Sequence, residues 1–230
     1  MKFLDQLQNA QIDALTNDQV NALTTAQAKA LAPAALTRMN SDQIDSLNTD
    51  QIAVLSSAQL NSIDASDWAT LSSDQIRAIS TGAVAGLDAT RISNLTSDQV
   101  QALTTDQVKA LTSTALQNLT ADQVKSLTID QISVLSATQL PGIDSADLVQ
   151  MSTEQIVAIN TASIAGLSSA QVNQLTTDQI EALTTDQMAK LSSAQIVALS
   201  STQAPKLSAQ QIAALSTTQV SNLGVDNLKV

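Results

Sequence analysis

The chain has 230 residues, 43% of them hydrophobic, but only 1% are aromatic and 13% charged, and the net charge is −11. Any core is therefore aliphatic, and the acidic surface repels nucleic-acid phosphates and anionic membranes. The sequence contains no Cys and no His, which removes disulfides, thiolate nucleophiles and the commonest metal ligands.

Residues 1–6 form a short lead-in. The start, MKFLDQLQNAQ, carries one Lys but no apolar stretch of signal-peptide length, so Sec-type export has no support. No apolar run in the chain approaches the roughly 18 residues of a membrane span, and membrane insertion is not expected. From Leu7 to Val230 the sequence is one eight-residue pattern repeated twenty-eight times without insertion: Leu, Ser/Thr, two variable residues, Gln, Ile/Val, a variable residue, Ala. A strict short period implies a stack of like units, each touching only its neighbours. Position one is Leu, Ile or Met in all twenty-eight octads and position six is apolar in all twenty-eight, while position five is Gln in twenty.

One long helix cannot bury this pattern, because eight residues at about 100° each rotate an apolar position by roughly 80° per repeat. A strand cannot either, since positions one and six fall on opposite faces. A short helix restarted in every octad can. Ser or Thr at position two with Gln three residues later is a capping box, and the apolar residues at positions one and six form the hydrophobic staple around it. In the second octad these are Thr16 with Gln19 and Leu15 with Val20. Asp at position four, as in Asp18, Asp42, Asp50, Asp98, Asp106 and Asp178, sits in the first turn, where the helix dipole favours it.

Further along the chain, Pro33 falls at a first helical position, where its missing amide costs little. Pro141 and Pro205 fall at position seven. They imply helices of barely one turn, or an amide that is not needed as a donor. Burying two aliphatic side chains does not offset the ordering of eight residues, so an octad folds only against its neighbours. Small residues at position eight, mostly Ala with some Gly, let successive turns approach. The expected fold is all-α: one solenoid over residues 7–230, made of very short capped helices around a Leu/Ile/Val core.

Every tenth octad echoes, which gives an 80-residue super-repeat over about 15–94 and 95–174 with a partial third copy at 175–230. LNTDQIAVLSSAQL (47–60) returns as LTIDQISVLSATQL (127–140), and the rarer octad IDASDWAT (63–70) returns as IDSADLVQ (143–150). Departures from the consensus recur in register: Asp67 with Asp147, Gly86 with Gly166, Ala35 with Ala115. Tandem duplication of a ten-octad block explains this. A compatible reading is that ten octads complete a whole number of superhelical turns, which would place the odd octads along one edge.

Candidate sites are few. Asp64/Asp67 and Asp144/Asp147 are the nearest to paired carboxylates, but a calcium site needs six to eight converging oxygens, and helix capping accounts for both pairs. Trp68, the only Trp, occupies a core position. The Ser and Thr at positions two and three would form ladders, serving as caps and solubilising surface or, alternatively, as a glycan, carbohydrate or ice-contacting face. Arg38, Arg77, Lys109, Lys125 and Lys190 read as a solvated edge and not a nucleic-acid track. No phosphate loop, catalytic triad or metal-spacing motif is present. No catalytic, cofactor-binding or metal-binding residue is identified, and no cofactor is implied.

The segments LTSDQVQALTTDQVKAL (95–111) and LTTDQIEALTTDQMAKLSSAQIVAL (175–199) resemble the LTTAQ-type octapeptide repeats of large bacterial proteins, many described as surface, secreted or repeats-in-toxin-like. The resemblance covers nearly the whole chain and carries no catalytic residues with it. It implies a bacterial source and extracellular or cell-surface deployment by signal-less secretion, in preference to the cytoplasm. The expected function is a non-enzymatic spacer or scaffold, such as a stalk. The alternative is a binding module that recognises a protein or glycan through the odd octads. A contiguous apolar or charged patch at exposed positions three, four and seven of those octads would favour binding; a uniform Ser/Thr/Asp coat would favour the spacer. The last octad, LGVDNLKV (223–230), has lost the Ser/Thr cap, which suggests a fragment of a longer chain or an end that self-associates.

Overall fold

The computed structural model describes residues 9–223. The expectations for the lead-in and for the last octad beyond Leu223 lie outside the described residues. The chain divides into two compact units, Met1–Leu111 and Thr112–Val230, a division that does not coincide with the super-repeat boundary. Among the described residues there is no strand; every octad from the first to the twenty-seventh holds one short element. Twenty-four are α-helices of four to six residues and three are 3-10 turns, so the solenoid of short helices is what forms.

The restart mechanism is local. In the octad that begins at Leu103, Leu103 and Thr104 are extended (φ/ψ −55/131 and −70/158), and the helix Thr105–Ala110 follows. The Thr104 hydroxyl accepts from the Gln107 amide at 3.2 Å, and the Gln107 Oε1 accepts from the Thr104 amide at 2.7 Å. This reciprocal box closes at every α-helix that carries Gln at position five, from Asn17–Asn21 onward. Each box satisfies two amides that a helix start would otherwise leave unpaired.

Positions one and six supply the core. Ile44, Leu47, Ile52, Leu55, Leu60 and Ile63 are fully buried in the first unit, as are Ile132, Leu135, Leu140 and Ile143 in the second. Within each unit, each element packs on the one three octads later: Thr49–Ala53 on Ser73–Ala78 in the first, and Ile129–Ser133 on Thr153–Ala158 in the second.

The prolines behave as their positions require. Pro33 opens the helix Pro33–Arg38. Pro141 and Pro205 lie in the 3-10 turns Leu140–Gly142 and Ala204–Lys206, which are too short to need a donor at position seven. Position eight is where successive turns come closest. A Cβ on Gly142 would sit 2.1 Å from the Ser113 carbonyl oxygen, one on Gly166 2.1 Å from that of Ala137, and one on Gly86 2.5 Å from the Ser57 hydroxyl. Only glycine fits at these three approaches.

Candidate functional site

The most constrained polar groups lie in the interior. Gln51, Gln107 and Gln203 are each at most 2% exposed. While its Oε1 completes the box, the Gln107 Nε2 donates backwards to the carbonyls of Ile76 (2.7 Å), Arg77 (3.2 Å) and Ile79 (2.7 Å). Gln51 reaches Val20, Asn21 and Leu23 in the same way, and Gln203 reaches Val172, Asn173 and Leu175. One amide thus caps the start of its own helix and the end of a helix lying 28–31 residues earlier. Other cross-turn bonds span 25 residues, from the Asn21 and Asn173 amides to the carbonyls of Ser46 and Ala198. A turn therefore takes three to four octads, and three turns of about 27 residues would match the 80-residue block.

Where Gln is replaced, Arg91 and Asp67 use different parts of this arrangement. Arg91 is buried; its Nε and Nη2 donate to the carbonyls of Leu60 (3.3 Å) and Asn61 (2.7 Å). A guanidinium cannot accept a hydrogen bond, and the cap amide of Asp88 instead donates to Asn61 Oδ1 at 3.1 Å. Asp67 can only accept, and it takes the Ser41 hydroxyl of an earlier turn.

The paired carboxylates do not act alike. The Asp64 side chain makes no cap hydrogen bond although it stands at the N-cap, which corrects the expectation that capping explains it. Asp144 does cap, accepting from the Ala146 amide at 2.8 Å. Partial burial, and then the neighbouring Asp144, push the Asp147 carboxyl above its ordinary range. No group of three or more acidic residues is placed to hold a metal ion among the described residues. Trp68 is fully buried in the core, and its Nε1 has no hydrogen-bond partner.

On the surface, position-two hydroxyls are taken up as caps. Arg77 pairs with Asp74 at 2.8 Å and Lys109 with Asp106 at 3.0 Å, both three residues apart and exposed, and Arg38 pairs with Asp13. Such exposed pairs contribute little. Four large aliphatic side chains are exposed among the described residues: Ile129, Val157, Val197 and Val220. Two of them meet. Ile129 and Val157, from neighbouring turns of the second unit, line an open cleft with Thr153, Glu154, Ala158 and Ala182. Glu154 stays ionised below the ordinary range because its own backbone amide, and next the Ser152 hydroxyl, bond the carboxylate.

The family model for the ALTTAQ repeat matches residues 69–105, 77–113, 140–177 and 165–193. Over residues 69–113 and 140–193 the chain is similar to the ALTTAQ repeat. Matched residues fall in both units. No curated protein matches the chain. No helix is long and apolar enough to cross a membrane among the described residues.

Reading the sequence alone missed two functional features of the structure: the backward donation by Gln, and the apolar cleft. The cleft lies in the octads that begin at Leu127, Met151 and Leu175, which keep the consensus Gln. Of the departures in the odd octads, Asp67, Trp68, Ala83, Arg91 and Ala115 are buried, whereas Ala35, Asp147 and Gly166 are half-buried and Gly86 is exposed.

Proposed function

We propose that this is a non-enzymatic structural repeat protein that serves as a stiff spacer or scaffold, deployed outside the cell or on its surface. The observation that carries the reading is the buried Gln amide, which ties a helix start to the preceding turn at octads of both units, as Gln51, Gln107 and Gln203 do. A hinge would require breaking several hydrogen bonds shielded from water at once. Little among the described residues is left over for chemistry: hydroxyls at position two are caps, and the carboxylates are scattered and mostly exposed. Extracellular deployment rests on the resemblance to LTTAQ-type bacterial repeats.

Stiffness is tested by making arrays of increasing octad number and measuring end-to-end distance by small-angle scattering or paired fluorophores. A spacer lengthens in proportion to octad number. Growth as the square root of length, as for a flexible chain, would refute it. Deployment is tested separately, by locating the native protein in medium, on intact cells or in lysate; recovery from lysate alone would end the extracellular reading.

A further inference from the structure

The cleft at Ile129 and Val157 is not something the fold requires, because the chain contains its own control. In the preceding ten-octad block the matching positions are Thr49 for Ile129, Asp74 for Glu154, Arg77 for Val157 and Ala102 for Ala182. The two helix pairs stack alike in the two units, Thr49–Ala53 on Ser73–Ala78 and Ile129–Ser133 on Thr153–Ala158. In the first unit Arg77 is exposed and ion-paired with Asp74 at 2.8 Å. In the second unit, the polar Thr and the paired Arg have both become aliphatic, and Ile129 is 47% and Val157 38% exposed. Burial does not explain side chains that remain this open.

Charge changes in the same place. The octads 47–54, 71–78 and 95–102 hold Asp50, Asp74 and Asp98 against one Arg77, a net −2; octads 127–134, 151–158 and 175–182 hold Asp130, Glu154, Asp178 and Glu181 with no Lys or Arg, a net −4. Asp130, Glu154, Asp178 and Glu181 are all exposed. An apolar seat with Glu154 on its wall, with Asp130 and Glu181 next in sequence to its lining residues Ile129 and Ala182, and with no Lys or Arg in these octads fits an occupant of opposite charge with an aliphatic anchor. A second copy of this chain, itself at −11, is repelled.

We propose that this cleft of the second unit docks a basic peptide segment of a partner protein, with one aliphatic side chain against Ile129 and Val157 and flanking Lys or Arg facing the carboxylates. The ALTTAQ array then carries a recognition site on a spacer body, and the inference does not depend on the array being stiff.

The probe is a short fluorescent peptide, Lys-Lys-Leu-Leu-Lys-Lys, titrated into the full chain by anisotropy, with amide chemical-shift mapping. Shifts are expected at Ile129, Val157 and Ala182. Val157→Arg and Ile129→Thr, which restore the residues of the first block, weaken binding about tenfold each; both keep the fold, as unchanged circular dichroism will show. The reciprocal pair Thr49→Ile with Arg77→Val adds a second site. A Ser-for-Leu peptide loses binding. Equal affinity for the Leu and Ser peptides, unchanged affinity in both variants, shifts elsewhere, or no binding at millimolar peptide would each overturn the proposal.

Discussion

Replacing Gln107 with Ala removes one side chain but strikes two turns. The Thr104 amide loses its acceptor at 2.7 Å and the Ile79 carbonyl its donor at 2.7 Å, while the Ile76 carbonyl keeps the Ile79 amide at 3.2 Å. Each buried group left unpaired costs about 1–3 kcal/mol. Two such groups give an expected loss of about 2–6 kcal/mol, with the lower end set by water entering the gap. Gln107→Glu keeps the shape but aims a carboxylate at three carbonyls, which raises its folded pKa above the unfolded value near 4.3. A raised pKa contributes stability below the unfolded value and loses it as pH rises through the folded one. The Glu variant should therefore stand close to wild type near pH 4 and fall below the Ala variant at neutral pH. Because repeat arrays can unfold locally, hydrogen exchange at the Thr104 amide is the sharper assay, beside urea unfolding at both pH values. If Gln107→Ala leaves Thr104 protection intact and costs under about 0.5 kcal/mol, the cross-turn amide is not what holds the turns together.

Gly142→Ala forces a Cβ to within 2.1 Å of the Ser113 carbonyl oxygen and should cost about 1–3 kcal/mol, whereas Gly82→Ala meets nothing within 4 Å and should be neutral or stabilising; thermal melts of the two variants check the contrast. For Asp147, whose pKa is raised above 3.8 by burial and Asp144, the ionised form is a burden that appears as pH rises. Asp147→Asn should therefore match wild type in acid and melt higher at neutral pH, and a gap that does not widen with pH would contradict this. Arg91→Gln should be tolerated, since an amide can reach the same Leu60 and Asn61 carbonyls, but Arg91→Ala should lose about 1–3 kcal/mol; equal denaturation midpoints for the two would show that the guanidinium bonds carry no stability.

Much of the fold was legible because its decisive interactions are local. The box and staple lie within five residues of each other, so Thr16, Gln19, Leu15 and Val20 announce a helix start without knowledge of neighbours. The backward reach of Gln was harder to see, since its partners lie 28–31 residues away. A signal was nonetheless present. Position five is never Glu in any octad, although the chain is acidic and a capping box accepts Glu as readily as Gln. Gln, which can donate as well as accept, holds the position in twenty of the twenty-eight octads. The cleft was hidden for another reason. Ile129 and Val157 are ordinary substitutions at variable positions, and only the three-octad stacking brings them together.

The same geometry decides how such a chain changes length. Each Gln asks only for the carbonyls at fixed positions of an earlier octad, and every octad offers them. Inserting or deleting one whole octad therefore re-pairs every amide with an equivalent partner, while adding any other number of residues leaves the downstream amides facing side chains. Length is quantised in steps of eight. Matched exceptions such as Ser41 with Asp67 mark intervals in which even a whole-octad change would separate dedicated partners.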